Sequence, residues 1–376
     1  MLITSLTHNI KSMDLLKSLF GKKENTITTY QQFWSWFEKH EKAFYNAVKS
    51  RQNIERIFFD KLSPKLNELK GGIYFLTGML NDTTVELILT PDGNIKNIAF
   101  IEDLVATAPA LNGWKFTALK PASGIENTHI EMAGHRFDAK NISFYSTQDA
   151  KHPDEIDITI VHNDFDEQHK DAITNGVYIF LDNFIGELNF VTTIDEIKVI
   201  GPDSASAELI PIEKLPDFLR WRQTEFVEKY EHTTRDSAED NYSLLEATTK
   251  SGNNMVATIN TGLLPWENKA SHPWIINVEI KYDGSKSNGM PDQKTYQLLN
   301  AVEDEIFALL TDTEGYLNVG RQTADGLREI FIVCKDFRKP SLVLYQLQKK
   351  YRQAVDMDYD IFKDKYWRSF DRFITI

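Results

Sequence analysis

The chain is 376 residues long, 41% hydrophobic and 12% aromatic, which is enough apolar side chain for two cores and excludes a largely disordered protein. Its 55 acidic and 42 basic side chains leave a net charge of −13, which argues against a broad nucleic-acid surface, since that needs clustered Lys and Arg to displace counterions from phosphates. The imbalance is local: residues 149–240 hold 22 acidic and 8 basic side chains, a net of −14, whereas residues 242–376 hold 18 and 17, a net of −1.

Residues 1–28 read as a tail. Met13 to Phe20 is a short amphipathic patch whose simplest form is a frayed helix. From Thr29 the spacing of Phe33, Trp36, Phe37, Phe44 and Val48 predicts a helix. A second helix from about Asn53 carries Ile57, Phe58, Leu62, Leu66 and Leu69 on one stripe; Pro64 is a potential break, and Gly71-Gly72 ends it. Residues 73–77 and 85–89 flank Asn81-Asp82-Thr83 as a hairpin, residues 98–108 form a short helix, and Trp114 to Leu119 a strand.

Further strands are predicted at 142–146, 156–161 and 194–200, with helices at 166–184 and 211–230. His232 to Asn241 is polar and lacks periodicity, so it reads as a linker. Beyond it, strands are predicted at 242–248, 254–261 and 274–282. A helix follows, capped by Asp292 and striped by Tyr296, Leu299, Val302, Ile306, Leu309 and Leu310. Two strands joined at Ala324-Asp325-Gly326, a helix at 341–351, a strand at 355–362 and a closing helix at 365–374 complete the chain.

The fold class is therefore α+β in two domains. The first, 29–231, is a mixed α+β sandwich. The second, 242–376 after the 232–241 linker, is ferredoxin-like, β-α-β-β-α-β from residue 274 onward, with extra N-terminal strands.

Asn288-Gly289-Met290-Pro291, Val302-Glu303-Asp304, Gly320-Arg321-Gln322-Thr323 with Gly326 and Arg328, and the late Trp367 together resemble the bacterial domain-of-unknown-function family 695. The resemblance covers about 135 residues from roughly Tyr242. It implies a fold and a bacterial setting and no chemistry, because the family has no established activity. Ile330-Phe331-Ile332-Val333-Cys334 departs from the aromatic-rich strand common in the family. Trp36-Phe37, Thr90-Pro91-Asp92-Gly93 and the 108–114 segment resemble a stretch of uncharacterised bacterial proteins, again without chemistry.

Candidate sites follow from residue chemistry. Arg321, Thr323 and Arg328 flank the hairpin, where two guanidinium groups on one face would grip a carboxylate or phosphate, and Trp367 joins them as a candidate binding residue. The competing role is pairing with a local acid, Asp325 or Glu329, and it is the favoured one. His162, Asp164, Asp166 and His169 are the densest set of potential metal ligands, but their spacing is not that of a helical zinc pair, and the two aspartates more simply cap the following helix. Asp356, Asp358 and Asp360 alternate on a strand and should share a wet face, with Val355, Met357, Tyr359 and Ile361 inward. Cys334, the single cysteine, lies in an apolar run and reads as a buried hydrophobe. Lys335, Arg338, Lys339, Lys349, Lys350 and Arg352, with Tyr345 and Tyr351, form a basic zone that a solvated helix face also explains.

No phosphate loop, dinucleotide fingerprint, nucleophile elbow or zinc helix motif is present in the sequence. With no stretch of roughly 18 apolar residues and no continuous leader core, the expectation is a cytoplasmic protein without a membrane span. The adopted reading is a non-catalytic protein-interaction or regulatory module without a cofactor, whose partner is another protein. The alternatives are a hydrolase-like enzyme with an interdomain cleft and an RNA-linked regulator using residues 335–352.

Overall fold

A computed structural model of the protein describes residues 26–374; most of the expected tail, including the Met13 patch, lies outside them. The described chain divides into two compact units, one ending at Lys120 and one beginning at Pro121. Both mix helix and strand.

The first unit opens with α1 (Tyr30–Ser50). Thr29 caps it by accepting from the Gln32 amide at 3.2 Å, and Arg51 closes it in the left-handed conformation. A π-helical turn at Glu55–Phe59 leads into α2 (Asp60–Leu69). Pro64 does not break this helix. The carbonyl it deprives of a partner belongs to Asp60, directly after the π turn, where the wider coil has already displaced the regular ladder. The hairpin β1 (Tyr74–Asn81) and β2 (Thr84–Thr90) is followed by α3 (Ile95–Ala106) and β3 (Trp114–Ala118), with β3 parallel to β2. Aromatic edges fill the space between helix and sheet: Phe37 meets Trp114 and Phe116 at 80° and 81°. Such edge-to-face pairs add about 0.5–1.5 kcal/mol beyond burial.

The second unit starts with a small hairpin, β4 (Ile130–Met132) and β5 (His135–Phe137), which the sequence pattern did not reveal. β6 (Ile142–Ser146) and β7 (Asp157–His162) pair antiparallel. The predicted 166–184 helix is a 3-10 turn at Glu167–His169 followed by α4 (Lys170–Ile185). Gly186, at φ 83°, then redirects the chain into α5 (Glu187–Thr193). β8 (Glu196–Ile200) returns parallel to β7, and β9 (Ile210–Pro211) pairs with β6. α6 (Leu215–Tyr230) completes this layer, whose core holds Phe144, Ile158, Ile160, Val177, Phe180 and Leu215.

The remaining strands are β10 (Tyr242–Thr248), β11 (Asn254–Asn260) and β12 (Trp274–Lys281). After them come α7 (Gln293–Leu309), β13 (Tyr316–Ala324), β14 (Leu327–Cys334), α8 (Arg338–Tyr351) and β15 (Asp356–Lys363). They build one six-stranded sheet in the order β10-β11-β13-β14-β12-β15. The predicted closing helix is a 3-10 stretch, Arg368–Phe373. Asp356, Asp358 and Asp360 are exposed and Met357, Tyr359 and Ile361 buried, as alternation on a half-covered strand requires.

The 232–241 segment lies inside the second unit, and within that unit residues before it are tied to residues far after it. The Asp195 carboxylate takes Lys363 at 2.8 Å and Lys365 at 2.7 Å. Asp154 accepts from the hydroxyls of Tyr230 and Tyr366 at 2.9 and 2.7 Å and from Lys229 at 2.8 Å. Arg368 reaches Glu155 at 2.6 Å. Charged residues of the expected first domain are thereby used as partners by the end of β15 and the residues after it. Among the described residues no helix is long and apolar enough to cross a membrane.

Candidate functional site

Helices α7 and α8 cover one face of the six-stranded sheet. Arg328 on β14 and Thr323 on β13 are cross-strand partners, and Arg321 lies two residues from Thr323 on the same face. The structure brings these three together beneath α7. Arg328 is 1% exposed; it donates to Asn300 at 2.8 Å, to the Thr323 hydroxyl at 3.2 Å and to Glu303 at 3.4 Å. Arg321 donates to the other oxygen of Glu303 at 2.8 Å. Burial pulls the Arg328 guanidinium below its ordinary pKa, and the Glu303 carboxylate opposes that shift.

The acid is thus neither of the two neighbours the sequence suggested. Asp325 accepts from Asn253 and Ser251, both at 2.7 Å, and Glu329 accepts from Gln322 at 2.9 Å. The partner comes from the Val302-Glu303-Asp304 step, so two of the motif segments meet in one network. Both guanidinium groups thus already hold partners within the protein.

The other motif glycines serve close backbone approach. Gly289 (φ 80°) accepts at its carbonyl from the Gly326 amide and the Tyr282 hydroxyl, both at 2.9 Å, and a Cβ on it would sit 2.9 Å from the Asp325 nitrogen. Gly320 (φ 135°) stands at the bulge of β13, where a Cβ would collide with the Thr258 carbonyl of β11. Trp367 lies on the opposite face of the sheet. It is 1% exposed, packs with Phe331, Val333 and Phe370, and donates its indole N–H to the His272 carbonyl at 2.9 Å. It does not join the arginines, and its ring faces core side chains.

Residues 247–375 match a family of unknown function (DUF695). No curated protein and no solved structure matches the chain. The DUF695 segment therefore contains every motif residue just described, and their geometry gives each a packing or pairing role.

The remaining sequence candidates are dispersed or satisfied. His162 is fully buried; its Nε2 faces the Arg136 carbonyl at 3.0 Å and its Nδ1 accepts the Asp164 amide at 3.2 Å. Burial pushes its pKa down, and the two bonds fix a neutral ring. Asp166 accepts from the Gln168 amide, capping the 3-10 turn, and pairs with His169 at 2.6 Å on the surface. Among the described residues no group of three or more His, Cys, Asp or Glu is arranged to hold a metal ion. Three of the six cations of the basic zone are paired with acids: Lys339 with Glu314 and Lys350 with Glu305, each at 2.6 Å, and Arg338 with Asp336 at 2.7 Å.

Two features at and just before the start of the matched segment were not read from the sequence. The first is an edge of the sheet that has no further strand beyond it among the described residues. β10 has β11 on one side and ends the strand order on the other. Tyr242 and Leu244 on it are 44% and 64% exposed, and Glu246 is its only charged residue. These three share the face on which α7 lies, but β10 and β11 extend past the helix, so Val256 and Thr258 beside them are only half-buried.

The second is a cleft of about 260 Å³ at the Tyr242 end of that edge. Its floor is apolar, with Leu263, Phe307, Leu310 and Leu317, and its rim carries Arg235, Asp240, Asp312 and Asn318. The Arg235 side chain is 4% exposed and binds Glu239 and Asp240 at 3.3 and 3.2 Å. Burial, reinforced by Asp240, pushes the Tyr242 hydroxyl up to about 12. Arg235 Nε and Asn318 Oδ1 are buried polar atoms without a hydrogen-bond partner. A signal for this site existed in the sequence only as the polar run 232–241, which reads equally well as a linker.

Proposed function

We propose that the protein is a non-catalytic interaction module that takes an extended segment of a partner polypeptide along β10. The observation that carries this reading is the edge strand β10, which has no strand on its outer side among the described residues. Natural sheets blunt their edges with lysine, proline, bulges or covering elements. The opposite edge, β15, follows that rule with three exposed aspartates. β10 instead presents the exposed Tyr242 and Leu244 and has no strand on its outer side among the described residues, which is the arrangement used for strand addition. Glu246 on β10 and the acidic rim at its start favour a segment that alternates apolar with basic side chains.

The element order β12-α7-β13-β14-α8-β15, with β12 between β14 and β15, supports the ferredoxin-like reading of this sheet. In that reading β10 and β11 are an addition beyond β13, and they move the free edge away from the helices. The satisfied state of His162 and of the Glu303 network offers no acid–base pair poised for catalysis, which is why the enzyme alternative ranks lower.

The test is selection from a displayed library of random twelve-residue peptides against the full chain. Enriched peptides are expected to alternate apolar and basic residues and to slow amide exchange in residues 242–248. Leu244→Pro, which places a ring on the edge, should abolish their binding. Enriched peptides that protect another surface, or that bind Leu244→Pro unchanged, would overturn the reading.

A further inference from the structure

We infer that residues 163–169 form a proton-released flap, fastened over His162 while its ring is neutral and lifted as acid charges His162, His135 and His169. The inference does not require strand addition along β10.

Three elements bring the histidines together. His162 ends β7, His135 opens β5, and His169 ends the 3-10 turn ahead of α4. The His135 ring lies 6.3 Å from that of His162 and 5.4 Å from that of His169, centroid to centroid. His162 is the fastening point. Its Nδ1 accepts the Asp164 amide at 3.2 Å, so the proton of the neutral ring sits on Nε2 and is donated to the Arg136 carbonyl at 3.0 Å. A second proton must go to Nδ1, where it would face the Asp164 N–H, and two donors cannot share one bond. The bond to Arg136 survives that change, as does the packing of Phe137 on the ring at 4.9 Å. The side that gives way is therefore the turn after β7 and not the β4–β5 hairpin.

The rest of the flap is lightly held. Residues 163, 164 and 166–169 are exposed, and Phe165 is half-buried against the core of this layer. Asn163 donates from its amide to the Asn141 carbonyl at 2.9 Å and from its side chain to the Lys140 carbonyl at 3.2 Å, and the Phe165 amide donates to the His162 carbonyl at 3.1 Å. The charges nearby divide by location. Asp164 attracts a charged His162 and opposes release. Asp138 is engaged by Arg136 at 2.6 Å. Asp166 holds His169 at 2.6 Å, but both belong to the flap and lift together. Across the gap stand His169 and His135, which repel once both carry a proton. Burial holds the His162 ring below its ordinary value in the closed flap. Closure is thus complete above the ordinary value of about 6.5 and weakens as pH falls below it. The closed-to-open ratio drops about tenfold per pH unit until the closed ring itself is protonated.

Amide exchange on the full chain, read by mass spectrometry as protection factors so that the intrinsic effect of pH on exchange is removed, tests the flap. Protection of residues 163–169 is expected to fall about tenfold between pH 7 and pH 5.5, while that of residues 274–281 in the six-stranded sheet stays unchanged. His162→Gln keeps a donor for the Arg136 carbonyl and cannot take up a proton, so its protection should be flat over this range. His135→Gln with His169→Gln leaves the buried ring in place, which guards against a His162 variant that misfolds, and should make the fall shallower by removing the repulsion. No fall in the parent, the same fall in both variants as in the parent, or an equal fall in residues 274–281 would each overturn the inference.

Discussion

Glu303 holds two arginines at once: one carboxylate oxygen lies 2.8 Å from Arg321 and the other 3.4 Å from the buried Arg328. The two bonds are unequal in consequence. The Arg321 side chain is 29% exposed and keeps access to water, whereas that of Arg328 is 2% exposed. Removing the carboxylate strands a buried cation, which costs about 3–5 kcal/mol. Glu303→Ala should therefore lower the unfolding free energy by that amount in urea titrations, and Arg321→Ala by about 1 kcal/mol or less. The pair Glu303→Leu with Arg328→Met should lie far closer to the parent than Glu303→Ala alone. A Glu303→Ala protein within 1 kcal/mol of the parent would show that Arg328 is not held by charge.

Much of this network was legible in part. The Val302-Glu303-Asp304 step and the Arg321 to Arg328 hairpin are visible as motifs, and the period of 3.6 residues on α7 and of two on β13 and β14 assigns their elements correctly. That they face each other is not in the pattern, because periodicity gives a residue's face and not the element opposite. The same gap explains Trp367, which the sequence groups with the arginines by motif and the sheet separates by its thickness. Residues 232–241, expected as a linker, lie inside the unit that begins at Pro121. Residues 232–241 lack periodicity because Arg235 and its acidic partners form a polar corner, and the ties from Asp154, Glu155 and Asp195 to residues 363–368 span some 170 to 213 positions, far beyond any local signal. Small elements such as β4, β5 and β9 are too short to show a period at all.

Lys363 gives a basic-limb signature. Its ammonium sits between Asp195 at 2.8 Å and the Thr193 carbonyl at 3.1 Å, and burial pushes its pKa down to about 8 despite Asp195. The unfolded lysine, near 10.4, holds its proton longer, so the unfolded state binds more protons between those values and stability rises with pH across that window. Lys363→Met, which leaves Asp195 bonded to Lys365, should remove this rise. Relative to the variant, the parent should gain on the order of 2 kcal/mol between pH 8 and pH 10. Parallel stability curves for the two proteins over that range would contradict the account.

Cys334 is fully buried at the end of β14, with its thiol against the Asp336 carbonyl at 3.2 Å. Burial drives its pKa upward, so little thiolate exists near neutrality and the sulfur is shielded. A disulfide reagent should leave the native protein unlabelled, and labelling should follow the opening of the sheet, accelerating with urea in step with loss of structure. Rapid labelling without denaturant would place this end of β14 in solvent.

His272 supplies the acid limb, and it couples to Trp367. Its ring lies 5.3 Å from Trp266, its Nδ1 meets the Ser271 hydroxyl at 2.8 Å, and its carbonyl receives the Trp367 indole. Burial, assisted by Lys335, pushes the imidazole down to about 3. The unfolded ring takes a proton near 6.5, so stability is complete above that value and falls as pH drops toward the folded value, by about 1.4 kcal/mol per unit once the unfolded ring is charged. His272→Gln should flatten the part of the stability–pH curve between pH 6 and pH 4 that this group causes. Trp367→Phe keeps the imidazole and removes the bond to its carbonyl, so it should cost about 1–3 kcal/mol at every pH while leaving the slope in place. The two variants separate packing from titration: a Trp367→Phe protein that also loses the acid slope would mean that the indole, rather than burial by the surrounding strands, keeps His272 dry.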